Sequence, residues 1–268
     1  MIDYHIHTVR CCHAVGTMEE YLAEAEAKGL LEVGFADHFP LGMLDYTPRN
    51  QVTMEPSELE DYFLDVERMK KLFPSLSIKL GIEIDFLPGK EQKIEELVSQ
   101  YPFDYVIGSI HFMGTWDFTH PVYAETYRER DIDQLYDTYF SIFSDLCRSR
   151  LFDIVGHLDV IKKFGYRPDR DLDPLWRMVA AELKETGTAF ELNTAGRDAP
   201  VKEFYPTGSL LTICSAAGVP VTLGSDAHSP DQVGRYFPEA LKLLTDSGYR
   251  ELTVFNRRQA AALPLHWS

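Results

Sequence analysis

Lysine and arginine are scarce in this 268-residue chain: 26 of them face 42 aspartates and glutamates, a formal net charge of −16 with histidine neutral. That deficit argues against a protein that grips a nucleic-acid backbone through a basic patch, and it makes an anionic membrane surface a poor partner. No apolar run approaches the roughly 18 residues of a membrane-spanning helix. The segment Met1-Ile2-Asp3-Tyr4-His5 has neither the basic nor the apolar region of a secretory signal. Cysteine is sparse too. Cys11, Cys12, Cys147 and Cys214 form neither a C-x-x-C motif nor a disulfide ladder, and a bridge between the adjacent pair is strained. A reduced, cytoplasmic protein is the expectation. Low-complexity segments and fixed-period repeats are also missing. Against these absences, nine histidines stand out.

The chain alternates short apolar runs with helical patterns. The runs fall at 2–6, 32–36, 78–84, 105–110, 152–155, 189–192 and 219–223, with a weaker one at 252–255. Thr17-x-x-Glu20 is a capping box with Gly29 as the stop, Pro56-Ser57 opens a second helix, and 132–151 carries Leu135, Tyr139, Ile142, Phe143 and Leu146 at helical spacing. Asp173-Pro174 starts another helix that ends at Gly187. Apolar, non-alternating strands separated by helices are parallel strands covered on both faces. A doubly wound sheet wants a glycine-rich phosphate loop after its first strand, and here that strand runs into His5-Ile6-His7 instead. A closed α/β barrel is therefore expected, one domain over 1–268, with an irregular insertion at about 39–56 that looks like a loop grown over a site.

Seven of the nine histidines, with one Glu and one Asp, cluster at the C-terminal ends of six strand runs. They are His5, His7 and His13, then His38 after Asp37, Glu83, His111, His157, and finally Asp226 and His228. That is the end at which α/β barrels build their catalytic groups. His-x-His sets two imidazoles on one side of an extended strand, because side chains alternate with period two. Imidazole suits Zn, Fe and Mn, and a carboxylate can bridge two ions. Nine donors exceed what one four-coordinate ion needs. His120 and His266 are not assigned as ligands, and His266 is expected to be exposed.

The ordered set Tyr4-His5-Ile6-His7-Thr8, Ala36-Asp37-His38, Gly81-Ile82-Glu83, Gly108-Ser109-Ile110-His111, Gly156-His157 and Ser225-Asp226-Ala227-His228 resembles the polymerase-and-histidinol-phosphatase (PHP) superfamily. Three stretches point within it to the histidinol-phosphate phosphatases: Ala36-Asp37-His38-Phe39-Pro40, Ser109-Ile110-His111-Phe112, and Glu191-Leu192-Asn193-Thr194-Ala195-Gly196-Arg197. The resemblance implies a distorted (β/α)7 TIM-like barrel with three divalent ions, Zn, Fe or Mn. It implies one ion on His5, His7, Glu83 and Asp226, a second sharing Glu83 and adding His111 and His157, and a third on His13, His38 and His228. It also implies a metal-dependent phosphomonoesterase that releases phosphate from L-histidinol phosphate, in histidine biosynthesis, through a hydroxide bridging two of the ions. Arg197, and with less support Lys163, are the expected phosphate-binding cations, and Glu83, Asp226 and Arg197 the expected catalytic set. Asp37 is expected to orient the neighbouring ligand. Aromatic and acidic side chains after strands two and four (Phe39, Tyr46, Phe112, Trp116, Asp117 and His120) suit the cationic end of a small phosphorylated metabolite. The competing readings are a phosphoesterase for another small phosphate or nucleotide, and a metal-binding domain without turnover. A related amidohydrolase would want a lysine bridge on the fourth strand, and none ends it.

Overall fold

A computed structural model describes residues 1–265, so His266 lies outside the described residues. Seven parallel strands follow one another around the sheet: β1 (Ile2–Ile6), β2 (Glu32–Phe35), β3 (Ser77–Asp85), β4 (Tyr105–Ser109), β7 (Ile154–Val155), β8 (Ala189–Asn193) and β9 (Val221–Gly224). The ring is drawn shut just past β9, where Ile6 bridges Ala227. There the His7 N–H donates to Ala227 O at 3.0 Å and the Ala227 N–H to His5 O at 3.2 Å. The architecture is the expected distorted seven-stranded α/β barrel, closed by backbone bonds at the histidine-rich end.

Strand bounds shift from the apolar runs for local reasons. Pro220 has no N–H to give a ladder, and β9 starts only after it. Phe152 leaves the strand line to lay its ring against Gly108, where any Cβ would collide with it. Asn193 joins β8 through its pairing with Gly224 of β9, and it also exchanges backbone bonds with Tyr205, at 2.7 and 3.0 Å. The weak run near the end is no barrel strand: β10 (Glu251–Asn256) pairs antiparallel with β11 (Gln259–Pro264) across an Arg257-Arg258 turn, both residues having positive φ. Two-residue strands β5 (Phe112–Met113) and β6 (Trp116–Asp117) form a small hairpin after β4.

The helices start and stop where their caps demand. Thr17 and Glu20 complete the capping box of α1 (Met18–Ala27). Asp131 caps α4 (Ile132–Ser149), accepting from Gln134 N at 3.1 Å. Gly187, at φ 74°, ends α5 (Asp173–Thr186). The expected helix at Pro56 opens with a 3-10 turn before α2 (Leu59–Leu72).

Inside the barrel, the strand starts are filled by rings. Tyr4 stacks on Tyr105 with centroids 4.7 Å apart, and Phe255 of the terminal hairpin closes over both. The Tyr105 ring fits because Gly34 and Gly81 face it and have no Cβ to obstruct it. A register shift between Asp3 and Ile6 lets two successive residues of β1 serve the interior, Tyr4 in this aromatic plug and His5 above it.

Candidate metal centre

Glu83, on β3, is the hub of the upper end. Its Oε1 accepts from Ser109 Oγ at 2.6 Å and lies 3.2 Å from His157 Nε2 and 3.7 Å from His111 Nε2. Its Oε2 lies 2.9 Å from His38 Nδ1, 3.5 Å from His5 Nε2 and 3.7 Å from His7 Nε2. Asp226 is the second anion, with Oδ1 3.2 Å from His7 Nε2 and 4.0 Å from His5 Nε2. His13 and His228 complete the set, their Nε2 atoms 2.9 Å apart. The fold thus brings all nine sequence-assigned donors into one continuous cluster. All of them but His5 and His7 line a cavity of about 670 Å³, the size of a small-molecule site.

The imidazoles are aimed from behind. His5 Nδ1 donates to Glu191, 2.9 Å from each carboxylate oxygen, and His111 Nδ1 donates to Asp85 at 2.9 Å. His13 Nδ1 donates to Cys11 O at 2.7 Å and His228 Nδ1 to Asp226 O at 3.1 Å. With Nδ1 carrying the proton, Nε2 presents its lone pair inward, the arrangement that fixes metal-binding histidines. Asp37 holds the His38 backbone N–H at 2.9 Å, and its carboxylate lies 3.5 Å from the ring of His7, not beside the ring of His38. Glu191 and Asp85 were missed by sequence reasoning. Each lies on or at the end of a strand, and a carboxylate in an apolar run was the available signal.

This donor set fits divalent cations. His5 Nε2 and His7 Nε2, which face Glu83 and Asp226, are buried without a hydrogen-bond partner, which native interiors rarely tolerate. The rings of His13 and His228 oppose Nε2 lone pairs at 2.9 Å, an unfavourable contact that a shared cation relieves. Burial, then His38 and His7, pushes His13 down to about 4, and burial and His7 push His228 well below the usual imidazole value. Those two rings are neutral, as ligands must be. Burial alone would raise the carboxyls of Glu83 and Asp226, but the surrounding imidazoles outweigh it and hold both well below the usual range. His7 is lowered by burial yet carried up to about 9 by its contacts with Asp226 and Asp37. Cys11 also lies near His13 and His228, but burial pushes its thiol up and favours the neutral S–H.

The expected phosphate cations separate. Lys163 lines the cavity, half-buried. Lys162 does not: its Nζ is buried against Asp159 at 2.8 Å and Phe204 O at 2.8 Å. Arg197 is not among the cavity residues. It ends the short turn Ala195–Arg197, and its exposed guanidinium lies over the rings of Phe204 and Tyr236, at 5.5 and 5.9 Å. The arginine at the cavity is Arg235, which no motif marked. Phe112, Asp117, Thr119 and His120 also line the cavity, joined by Gln51 and Val52 of the 39–56 segment. Trp116 is instead covered by Arg130, 3.7 Å from its ring centre, and Tyr46 packs on Phe112. Phe39 is buried in the core.

Residues 3–195 match the family model described as the PHP domain. A Deinococcus radiodurans protein named "Probable histidinol-phosphatase" is 38% identical over 260 residues, covering 96% of this chain and 98% of its own. The histidinol-phosphatase of Bacillus subtilis is 29% identical over 254 residues, 87% of this chain and 95% of its own. The fold is shared, at TM-score 0.84 and 24% identity over 97% and 98% of the two chains, with the crystal structure of histidinol phosphate phosphatase from Lactococcus lactis complexed with zinc, L-histidinol and phosphate.

Proposed function

The chain belongs to the PHP domain family, and we propose that it hydrolyses L-histidinol phosphate to L-histidinol and inorganic phosphate, as a cytoplasmic phosphomonoesterase of histidine biosynthesis. The observation that carries this reading is the convergence of unpartnered imidazole nitrogens on Glu83 and Asp226, which line a small-molecule cavity. His5, His7, Glu83 and Asp226 would hold one divalent ion, Glu83 with His111 and His157 a second, and His13, His38 and His228 a third. Zn, Fe or Mn bound there supplies the positive charge that a phosphate dianion requires and makes water a nucleophile at neutral pH.

The protein's own groups do the rest. Seven neutral imidazoles and two carboxylates leave bound divalent ions a net positive charge, so the pocket attracts a dianion although the chain as a whole is acidic. Glu191, Asp85 and Asp37 keep the rings oriented and their lone pairs inward. Lys163 lines the cavity, which supports a role in meeting a phosphoryl oxygen. The buried Asp117 carboxylate offers a counter-charge to a substrate amine, with Phe112 as an apolar wall. The test is a panel of phosphorylated metabolites assayed by kcat/KM with Zn, Fe or Mn added. Histidinol phosphate should rank among the best substrates; if another small phosphate ester exceeds it by orders of magnitude, the assignment passes to that ester.

A further inference from the structure

Asp226 supplies a carboxylate to the centre from an unusual backbone position, φ 53°, in the left-handed region that disfavours residues other than glycine, asparagine and aspartate. One side chain touches the whole turn. Arg235 Nε donates to Ser225 O at 3.1 Å and its Nη2 to Asp226 O at 3.0 Å. Its Nη1 donates to Asp198 Oδ2 at 3.0 Å, and Asp198 is itself fixed by the Tyr236 hydroxyl at 2.6 Å. From the other side, Asp3 accepts the Ser225 N–H at 2.9 Å. The Asp226 carbonyl has a second donor, His228 Nδ1.

We infer that Arg235 is a positioning residue for the metal ligands that follow β9. Its planar fork clamps two successive carbonyls, which sets the direction of the Asp226 carboxylate. It shares the Asp226 carbonyl with His228, so the same contact anchors that ring with its Nε2 facing inward. Each of its three nitrogens donates to a protein acceptor, so the side chain is held in place at the cavity border. Lysine cannot replace it, because a single ammonium does not reproduce a two-carbonyl fork.

This inference rests on the site being a metal centre, and Zn²⁺ binding by the parent protein tests that reading separately in the same experiment. Chelator-competition titration with Zn²⁺ should show a Kd weakened about 10–100-fold in Arg235→Ala, the range found when a group supporting a ligand is lost. Arg235→Lys should remain weakened, and it carries the test if the alanine variant does not fold. Added methylguanidine should restore Zn²⁺ affinity to Arg235→Ala and leave the parent unchanged. Parent-like Zn²⁺ affinity in both variants would overturn the inference, as would a loss that methylguanidine does not restore. Parent-like affinity combined with weaker inhibition by inorganic phosphate would make Arg235 a phosphate ligand instead.

Discussion

At the lower mouth of the barrel, Tyr4 and Tyr105 stack, the Tyr105 hydroxyl donates to Tyr4 O at 2.7 Å, and the Tyr4 hydroxyl reaches Glu32 while accepting from Phe255 N at 3.1 Å. At the upper mouth, a few residues along the same strands, imidazoles crowd two carboxylates and several nitrogens have no partner. One end satisfies every group named here within the protein and is shut by the β10–β11 hairpin. The other leaves donors for something else to satisfy and is open to a cavity. Buried polar atoms left unpaired cost stability, so the upper end marks where this chain gives up packing for ligand binding.

Three experiments can break or sharpen that contrast. The largest effect is expected at the upper end. Asp226→Asn or His157→Ala should lose bound metal, measured by elemental analysis, and lower kcat/KM by about 10³-fold, roughly 4 kcal/mol of transition-state stabilisation. Full hydrolysis in a metal-free preparation of either variant would sink the metal reading.

The next effect is a pH dependence of stability in the metal-free protein. His7 and His111 are both raised to about 9, the latter lowered by burial but lifted by Asp85 and Glu83. Their folded values exceed the ordinary 6.5, so the stability they contribute is full below that pH and fades as pH rises through 9. His13, depressed to about 4, acts oppositely, and stability falls as pH drops from 6.5 toward 4. Metal-free protein should therefore be most stable near pH 6.5, by on the order of a few kcal/mol. Bound divalent ions prefer neutral imidazoles, so the Tm gain on adding Zn²⁺ should grow from pH 6 to 9. A gain independent of pH would mean that these rings are not the ligands.

The smallest effect belongs to the lower mouth. Gly34→Ala places a methyl group inside the Tyr105 ring and should cost about 1–3 kcal/mol in urea unfolding, equally with and without metal. A deficit that metal abolishes would show that the two ends are not independent.

Much of this was legible before any coordinates. Strand runs, the capping box at Thr17 and Glu20, and the spacing of His5 and His7 are local signals, set by backbone periodicity and by caps within a few residues. The nine donors could be named because they gather at the same end of six strand runs. Less legible were the groups behind them. Glu191 reaches His5 from 186 residues away, and Asp85 reaches His111 from 26. Arg197 reads as a site cation from its motif, yet its guanidinium lies over the Phe204 ring and it is not among the cavity residues.

The sequence by itself determined the alternation of strand and helix, the end of the barrel at which chemistry gathers, and the donor types, because these depend on residue identity and short-range geometry. Only the tertiary structure decided which Nδ1 atoms are pinned and so which lone pairs converge. It also put Arg235, and not Arg197, at the cavity and against the Asp226 carbonyl. The physical reason is that a linear pattern does not encode distances in space: Asp85 meets His111 only when β3 and β4 pair, and Glu191 meets His5 only when the ring closes between β1 and β9.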